Sequence, residues 1–161
     1  MKKIYLPENV YDAALNRMRW LFDEFKNVVI SSSGGKDSTI IMQLALKVAE
    51  EKNRLPIKMV FLDQEAEWQS TIDYLRKAMA DPRIEPVWIQ CPFKLFNTTS
   101  IKEPWLMCWK EGDKWMREKE PYAIKDNVFG TDRFRDVFTH VLDYLHPDEP
   151  ACFLAGVRAE E

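Results

Sequence analysis

The sequence predicts a doubly wound α/β fold built on a mainly parallel sheet, and two observations carry that prediction. Short apolar, β-branched runs alternate with amphipathic stretches of helical period, and the connections are long enough for the crossovers that parallel strands require. The first run also opens into a loop of small residues, Ser32-Ser33-Gly34-Gly35-Lys36-Asp37-Ser38, that leads directly into a helix. Sheets of this class bind ligands beyond the carboxyl ends of their strands, where such loops lie.

Taken in order, residues 7–25 read as a helix, with Ala14, Leu15, Met18, Leu21, Phe22 and Phe25 at helical spacing. Asn27-Val28-Val29-Ile30-Ser31 lacks polar alternation, as expected of a strand buried on both faces. A second helix is expected over about 38–53, burying Ile40, Ile41, Leu44, Ala45 and Val48. Ile57 to Leu62 form a second strand closed by Asp63, followed by a helix with Trp68, Ile72, Leu75 and Met79 on one face until Pro82. Pro86 to Cys91 give a third strand, ended by Pro92. The stretch from about 93 to 150 reads as a helical, aromatic-rich insertion before the last strand. Its clearest element is a helix over about 132–145 with Thr131 as N-cap. Ala151 to Ala155 supply the last strand, leading to Gly156-Val157-Arg158-Ala159-Glu160-Glu161.

The 161 residues suit one domain, expected to span 1–161, with 46% hydrophobic and 30% charged residues giving enough core without staples. A net charge of −3 argues against a general polyanion binder, so direct nucleic-acid binding is not expected except through a local patch. No stretch approaches a membrane span and no signal-like segment opens the chain, which makes a cytoplasmic location the expectation. Cys91, Cys108 and Cys152 are odd in number and form no CxxC pair, and His140 and His146 lack ligand spacing. Neither an iron–sulfur cluster nor structural zinc is expected.

The chemistry is expected in the loop. Adjacent glycines permit successive amides to face one concavity, and the helix N-terminus behind them adds donors and partial positive charge. Ser31, Ser32, Ser33 and Ser38 supply hydroxyls and Lys36 a mobile charge, a set that suits a pyrophosphate. A Walker A loop is ruled out, because Ile30 stands where its first glycine belongs and Asp37 where its hydroxyl belongs. Asp37 is the nearest carboxylate for Mg²⁺. Asp63, Glu65 and Glu67 suit either a metal or ribose hydroxyls, or else complement a helix dipole. Cys91, at a strand end, reads as a buried thiol before a nucleophile. The Trp105–Trp109 stretch reads as core filling before a lid or partner surface.

The string Ser33-Gly34-Gly35-Lys36-Asp37-Ser38 after a buried strand resembles the PP-loop of the adenine nucleotide α-hydrolase-like superfamily, whose Rossmann-like fold and phosphoadenosine phosphosulfate (PAPS) reductase-like members it brings to mind. Phe61-Leu62-Asp63 resembles the strand-two motif whose backbone contacts adenine, and Gly156-Val157-Arg158-Ala159-Glu160-Glu161 resembles the Gly-x-Arg-x-Glu-Glu segment whose arginine meets an anionic group. The resemblance implies an adenine nucleotide, ATP or PAPS, with Mg²⁺, bound by Ser31 to Ser38, Leu62, Asp63, Gly156 and Arg158. Lys36 and Arg158 would be the catalytic pair, cleaving between the α and β phosphates. The sequence departs from the sulfonucleotide reductases in that its 161 residues contain no Glu-Cys-Gly-like cysteine motif and in replacing their usual Ser-Phe-Gly loop. Two alternatives therefore stand beside ATP cleavage: a PAPS reductase-type oxidoreductase using an external thiol, and a non-catalytic nucleotide-binding subunit. The Trp105–Trp109 stretch and the ending resemble a subfamily sometimes encoded beside a ParB-like protein, which implies a DNA-associated partner. The stop beside the arginine motif reads equally as a C-terminally truncated domain, a minimal version, or one missing a partner.

Overall fold

The computed structural model describes residues 7–157. Among them, β1 (Asn27–Ser31), β2 (Ile57–Leu62), β3 (Ile84–Ile89) and β6 (Ala151–Leu154) form a four-stranded sheet in the order β3-β2-β1-β6, with every pairing parallel. A smaller antiparallel hairpin joins β4 (Phe93–Phe96) to β5 (Trp105–Cys108). Helices α1 (Val10–Glu24), α2 (Lys36–Glu51) and α3 (Gln69–Met79) lie before β1, β2 and β3, and α4 (Phe134–Leu145) precedes β6.

The unbroken apolar run of β1 follows from burial on two sides. Val28 and Ile30 join Met59, Phe61 and Trp88 in a core shared with α1, α2 and α3. Val29 turns the other way, joining Val60, Leu62, Val87 and Ile89 under Phe93, Trp109, Val137 and Val141. Each fully buried side chain of this size contributes about 1.5–3 kcal/mol, so both faces of the sheet are needed to hold its layers. The chain goes from β1 outward to β3 on one side and returns to place β6 on the other, making the β1/β6 boundary the switch point of the sheet.

Several local expectations are corrected. The stretch 93–150 contains the expected helix, but it also holds the β4–β5 hairpin and long irregular segments. Trp68 is the N-cap residue of α3 rather than part of its buried face, and is 82% exposed because the helix begins one residue later. Ile40 likewise stays exposed, while Met42 and Leu46 are buried in α2. β3 starts at Ile84, and Pro86 sits inside it, paired in register with Met59. A proline is tolerated there because an outer strand can leave its N–H side unpaired. Arg133, not Thr131, caps α4; the Thr131 hydroxyl instead accepts from the Arg133 amide at 3.3 Å. In the Trp105–Trp109 stretch, Cys108 and Trp109 fill core as expected, whereas Trp105, Leu106 and Met107 are exposed.

Candidate functional site

β1 ends in Ser31, and the loop that follows lies at the switch point. Ser32 donates its amide to Val60 O at 3.0 Å, which ties the loop's first residue to the neighbouring strand. Gly34 then adopts φ +73°. A Cβ at Gly34 would meet Thr71 Cγ2 at 2.8 Å and Leu75 Cγ at 3.3 Å, so both conformation and space demand glycine. Gly35 is different. It is the N-cap of α2 in extended conformation, with Ser33 Oγ 3.4 Å from where its Cβ would stand.

The donors of the loop are lightly held. The Gly34 and Gly35 amides donate to Ser32 Oγ and Ser33 Oγ at 3.2 and 3.4 Å, long contacts that an anionic acceptor can replace. No side chain caps α2, whose first-turn amides have no acceptor within the helix. Ser38 and Thr39 hydroxyls donate to Gly35 O at 3.0 and 2.8 Å and fix the turn. Lys36, the first residue of α2, is exposed and forms no ion pair among the described residues. Asp37 is half-buried in the same first turn.

The end of β6 closes on this loop. A Cβ at Gly156 would lie 2.7 Å from Asp37 C, 2.7 Å from Ser38 N and 2.9 Å from Asp37 O. The backbone of the last segment is therefore seated directly on the Asp37–Ser38 peptide, and two motifs far apart in sequence share one position. Arg158 lies outside the described residues.

At the carboxyl ends of β1 and β2, a cleft is lined by Ser31, Ser32, Ser33, Phe61, Leu62, Gln64, Glu67, Phe134 and Phe138. Its volume of about 110 Å³ is below that of an enclosing ligand pocket, so a nucleotide here would lie along an open edge. Sequence reasoning found Leu62 but missed Gln64, Phe134 and Phe138. Phe134 and Phe138 stand one helical turn apart on α4, a spacing already visible in the sequence, though it equally describes a core-facing stripe. Burial of Glu67, with Asp63 nearby, raises its carboxyl above the ordinary glutamate value, while Arg117 acts in the opposite sense.

Asp63 and Glu65 organise the end of β2. The Asp63 carboxylate is fully buried. Trp88 Nε1 and Gln90 Nε2 donate to its Oδ2 at 2.8 and 2.9 Å, and Glu65 N donates to Oδ1 at 2.9 Å beside the Arg117 guanidinium. Its carbonyl accepts Trp109 Nε1 at 2.7 Å. Glu65, at φ +64°, accepts the Trp109 amide at 2.6 Å and the Met116 amide at 3.1 Å. With every carboxylate oxygen engaged by protein donors, these residues bolt the 108–120 segment to the end of β2.

The cysteines are quiet. Burial pushes the Cys91 thiol up to about 11 and the Cys108 thiol up to about 12, and Cys108 donates to Gln64 O at 3.3 Å. Among the described residues no group of three or more His, Cys, Asp or Glu side chains is disposed to hold a metal ion. No helix among them is long and apolar enough to cross a membrane.

Comparison with known proteins matches residues 27–120 to the model of the phosphoadenosine phosphosulfate reductase domain, a span from β1 through Glu120 that includes the loop and the Asp63 junction. Over 168 aligned residues the chain is 31% identical to an Escherichia coli K12 protein described as Uncharacterized protein YbdN. That alignment covers 99% of this chain and 41% of the relative, so the chain spans about two fifths of the length of the protein it matches.

Proposed function

Because this chain belongs to the phosphoadenosine phosphosulfate reductase domain family, we propose that its loop binds an adenine nucleotide and that ATP is cleaved there between the α and β phosphates. The observation that carries this reading is the seating of Gly156 on the Asp37–Ser38 peptide, which brings the end of β6 onto a loop with exchangeable amide donors at the switch point. The Gly34 and Gly35 amides, released from their serine hydroxyls, hold the β and γ phosphates together with Lys36. A nucleophile's oxygen bonds to the α phosphorus, the bond from that phosphorus to the α–β bridging oxygen breaks, and the electron pair leaves with pyrophosphate. Held donors stabilise the charge growing on that leaving group. Arg158, two residues beyond Gly156, is assigned to the α phosphate, where its planar fork suits an oxyanion. Leu62 and the cleft around it are assigned to the adenine side.

Magnesium is assigned here as a companion of the nucleotide, and Asp37 is the carboxylate that would help hold it. When bound, it neutralises phosphate charge.

Incubation with Mg²⁺ and ATP, followed by product separation, tests the proposal. Pyrophosphate with AMP or an adenylylated product is expected; ADP with orthophosphate, or no ATP binding, overturns it. The reductase reading is favoured by one observation, the family itself. Burial raises the Cys91 and Cys108 thiols, which favours a thiol supplied from another source. Sulfite from PAPS and an added dithiol would replace ATP cleavage with that reading.

A further inference from the structure

Beyond the nucleotide cleft, we propose a second site: a groove between the β4–β5 hairpin and the start of α4 that binds single-stranded nucleic acid. In the hairpin register Lys94 faces Met107 and Phe96 faces Trp105, which puts these four side chains on one face of the two strands. Phe96 is 65% exposed and Trp105 42% exposed, two large rings left open side by side on the hairpin. The groove beside that face is lined by Lys94, Phe96 and Trp105 from the hairpin and by Arg133 and Arg135 from the start of α4. At about 420 Å³ it falls within the range of ligand-binding pockets.

The chemistry of the lining selects the occupant. Lys94 and Arg133 lie over the Trp105 ring, 5.5 and 5.7 Å from its centroid. Lys94 is already paired with Asp132 at 2.7 Å, but Arg133 and Arg135 are exposed and form no ion pair among the described residues. The one acidic lining residue is Asp136. The geometry is held by the backbone, since Lys94 N donates to Asp132 O at 2.6 Å and fixes hairpin to helix. Rings interleaved with unneutralised guanidinium groups match a ligand that alternates flat bases with phosphates. A duplex hides the faces of its bases, and a run of acidic residues alone offers no rings for Phe96 and Trp105 to meet. The overall charge of −3 leads one to expect no nucleic-acid contact outside a local patch, and this groove is such a patch. It adjoins the nucleotide cleft, because Phe134 lines both.

Fluorescence anisotropy with labelled oligothymidylate and oligouridylate tests the proposal on the whole chain. Saturable binding is expected, with a log–log salt slope of about −1.4 for two phosphate contacts. The double variant Arg133→Glu/Arg135→Glu is expected to weaken it at least about tenfold, and Trp105→Ala at least about fivefold, near the low end of stacking on one ring. ATP should not displace the oligonucleotide, and Lys36→Ala should leave this binding unchanged, which separates the groove from the cleft whether or not ATP binds. Absence of saturable binding, equal binding by the variants, or displacement by ATP would overturn the proposal. So would equal competition by AMP or by polyglutamate, which would reassign the groove to a small nucleotide or an acidic protein.

Discussion

Replacing Gly156 by alanine probes the contact on which the nucleotide site rests. The added methyl would stand 2.7 Å from both Asp37 C and Ser38 N. Ordinary carbon contacts are about 3.5–4.0 Å, so the last segment and the loop must separate by about 0.8 Å or more. The atoms in the way are backbone on the first turn of α2, and they cannot rotate aside as a side-chain tip could. Overpacking of this kind costs about 1–3 kcal/mol. The displacement also falls on the peptide that follows the loop's donors, where misplacement of about 1 Å can cost a hundredfold in function. Gly35→Ala is the matched control, because its extended backbone accepts a side chain and its Cβ would meet only Ser33 Oγ at 3.4 Å. Urea unfolding and calorimetric ATP titration of both variants provide the assay. Gly156→Ala should lower the unfolding midpoint and weaken ATP at least about tenfold, with Gly35→Ala near wild type in stability. If Gly156→Ala matched wild type in both measurements, the seating of β6 on the loop would have no energetic weight.

Four further outcomes follow from the geometry. Lys36→Ala should weaken ATP at least about tenfold in the same titration, through loss of a charge-assisted contact worth about 1.5–3 kcal/mol, without changing the unfolding midpoint. Asp63→Ala strands the Arg117 guanidinium, Trp88 Nε1 and Gln90 Nε2, and should cost about 3–5 kcal/mol in urea unfolding, as breaking a buried pair does. At pH 8 the native protein should leave Cys91 and Cys108 unmodified by iodoacetamide, since thiols raised to about 11 and 12 carry almost no thiolate there; peptide mass mapping reads this. Glu67 holds its proton more tightly folded than unfolded, so its contribution to stability falls as pH rises from the ordinary glutamate value through its raised one. Glu67→Gln should therefore be more stable than wild type at pH 7 and lose that advantage below the ordinary glutamate range, measured by midpoints across pH.

The sheet was legible because its signals are local. Val28-Val29-Ile30 and Met59-Val60-Phe61 carry burial on both faces in their composition, and Gly34-Gly35-Lys36 marks the turn by chemistry that few other turns need. Gly156 could be placed near the loop by resemblance, but the 2.7 Å approach that demands glycine there is a tertiary fact. The hairpin was missed because Phe93–Phe96 and Trp105–Cys108 are four residues each, too short for a period to declare itself. The protein partners of Asp63 were illegible for a related reason. An acid at a strand end looks alike whether it faces a ligand or receives Trp88, Gln90 and Arg117, and those donors come from positions 25 to 54 residues away.

The Asp63 junction also decides which parts of the molecule can move. Glu65 and Asp63 clamp the amides of Trp109 and Met116, the Trp109 indole and the Arg117 guanidinium, so the 108–120 stretch travels with the sheet as one stiff body. The hairpin tip beyond β4 is held by local bonds, Asn97 Nδ2 donating to Glu103 O and the Thr99 amide donating to Asn97 Oδ1. The wall behind the hairpin is thereby as firmly fixed as the strands it is bonded to.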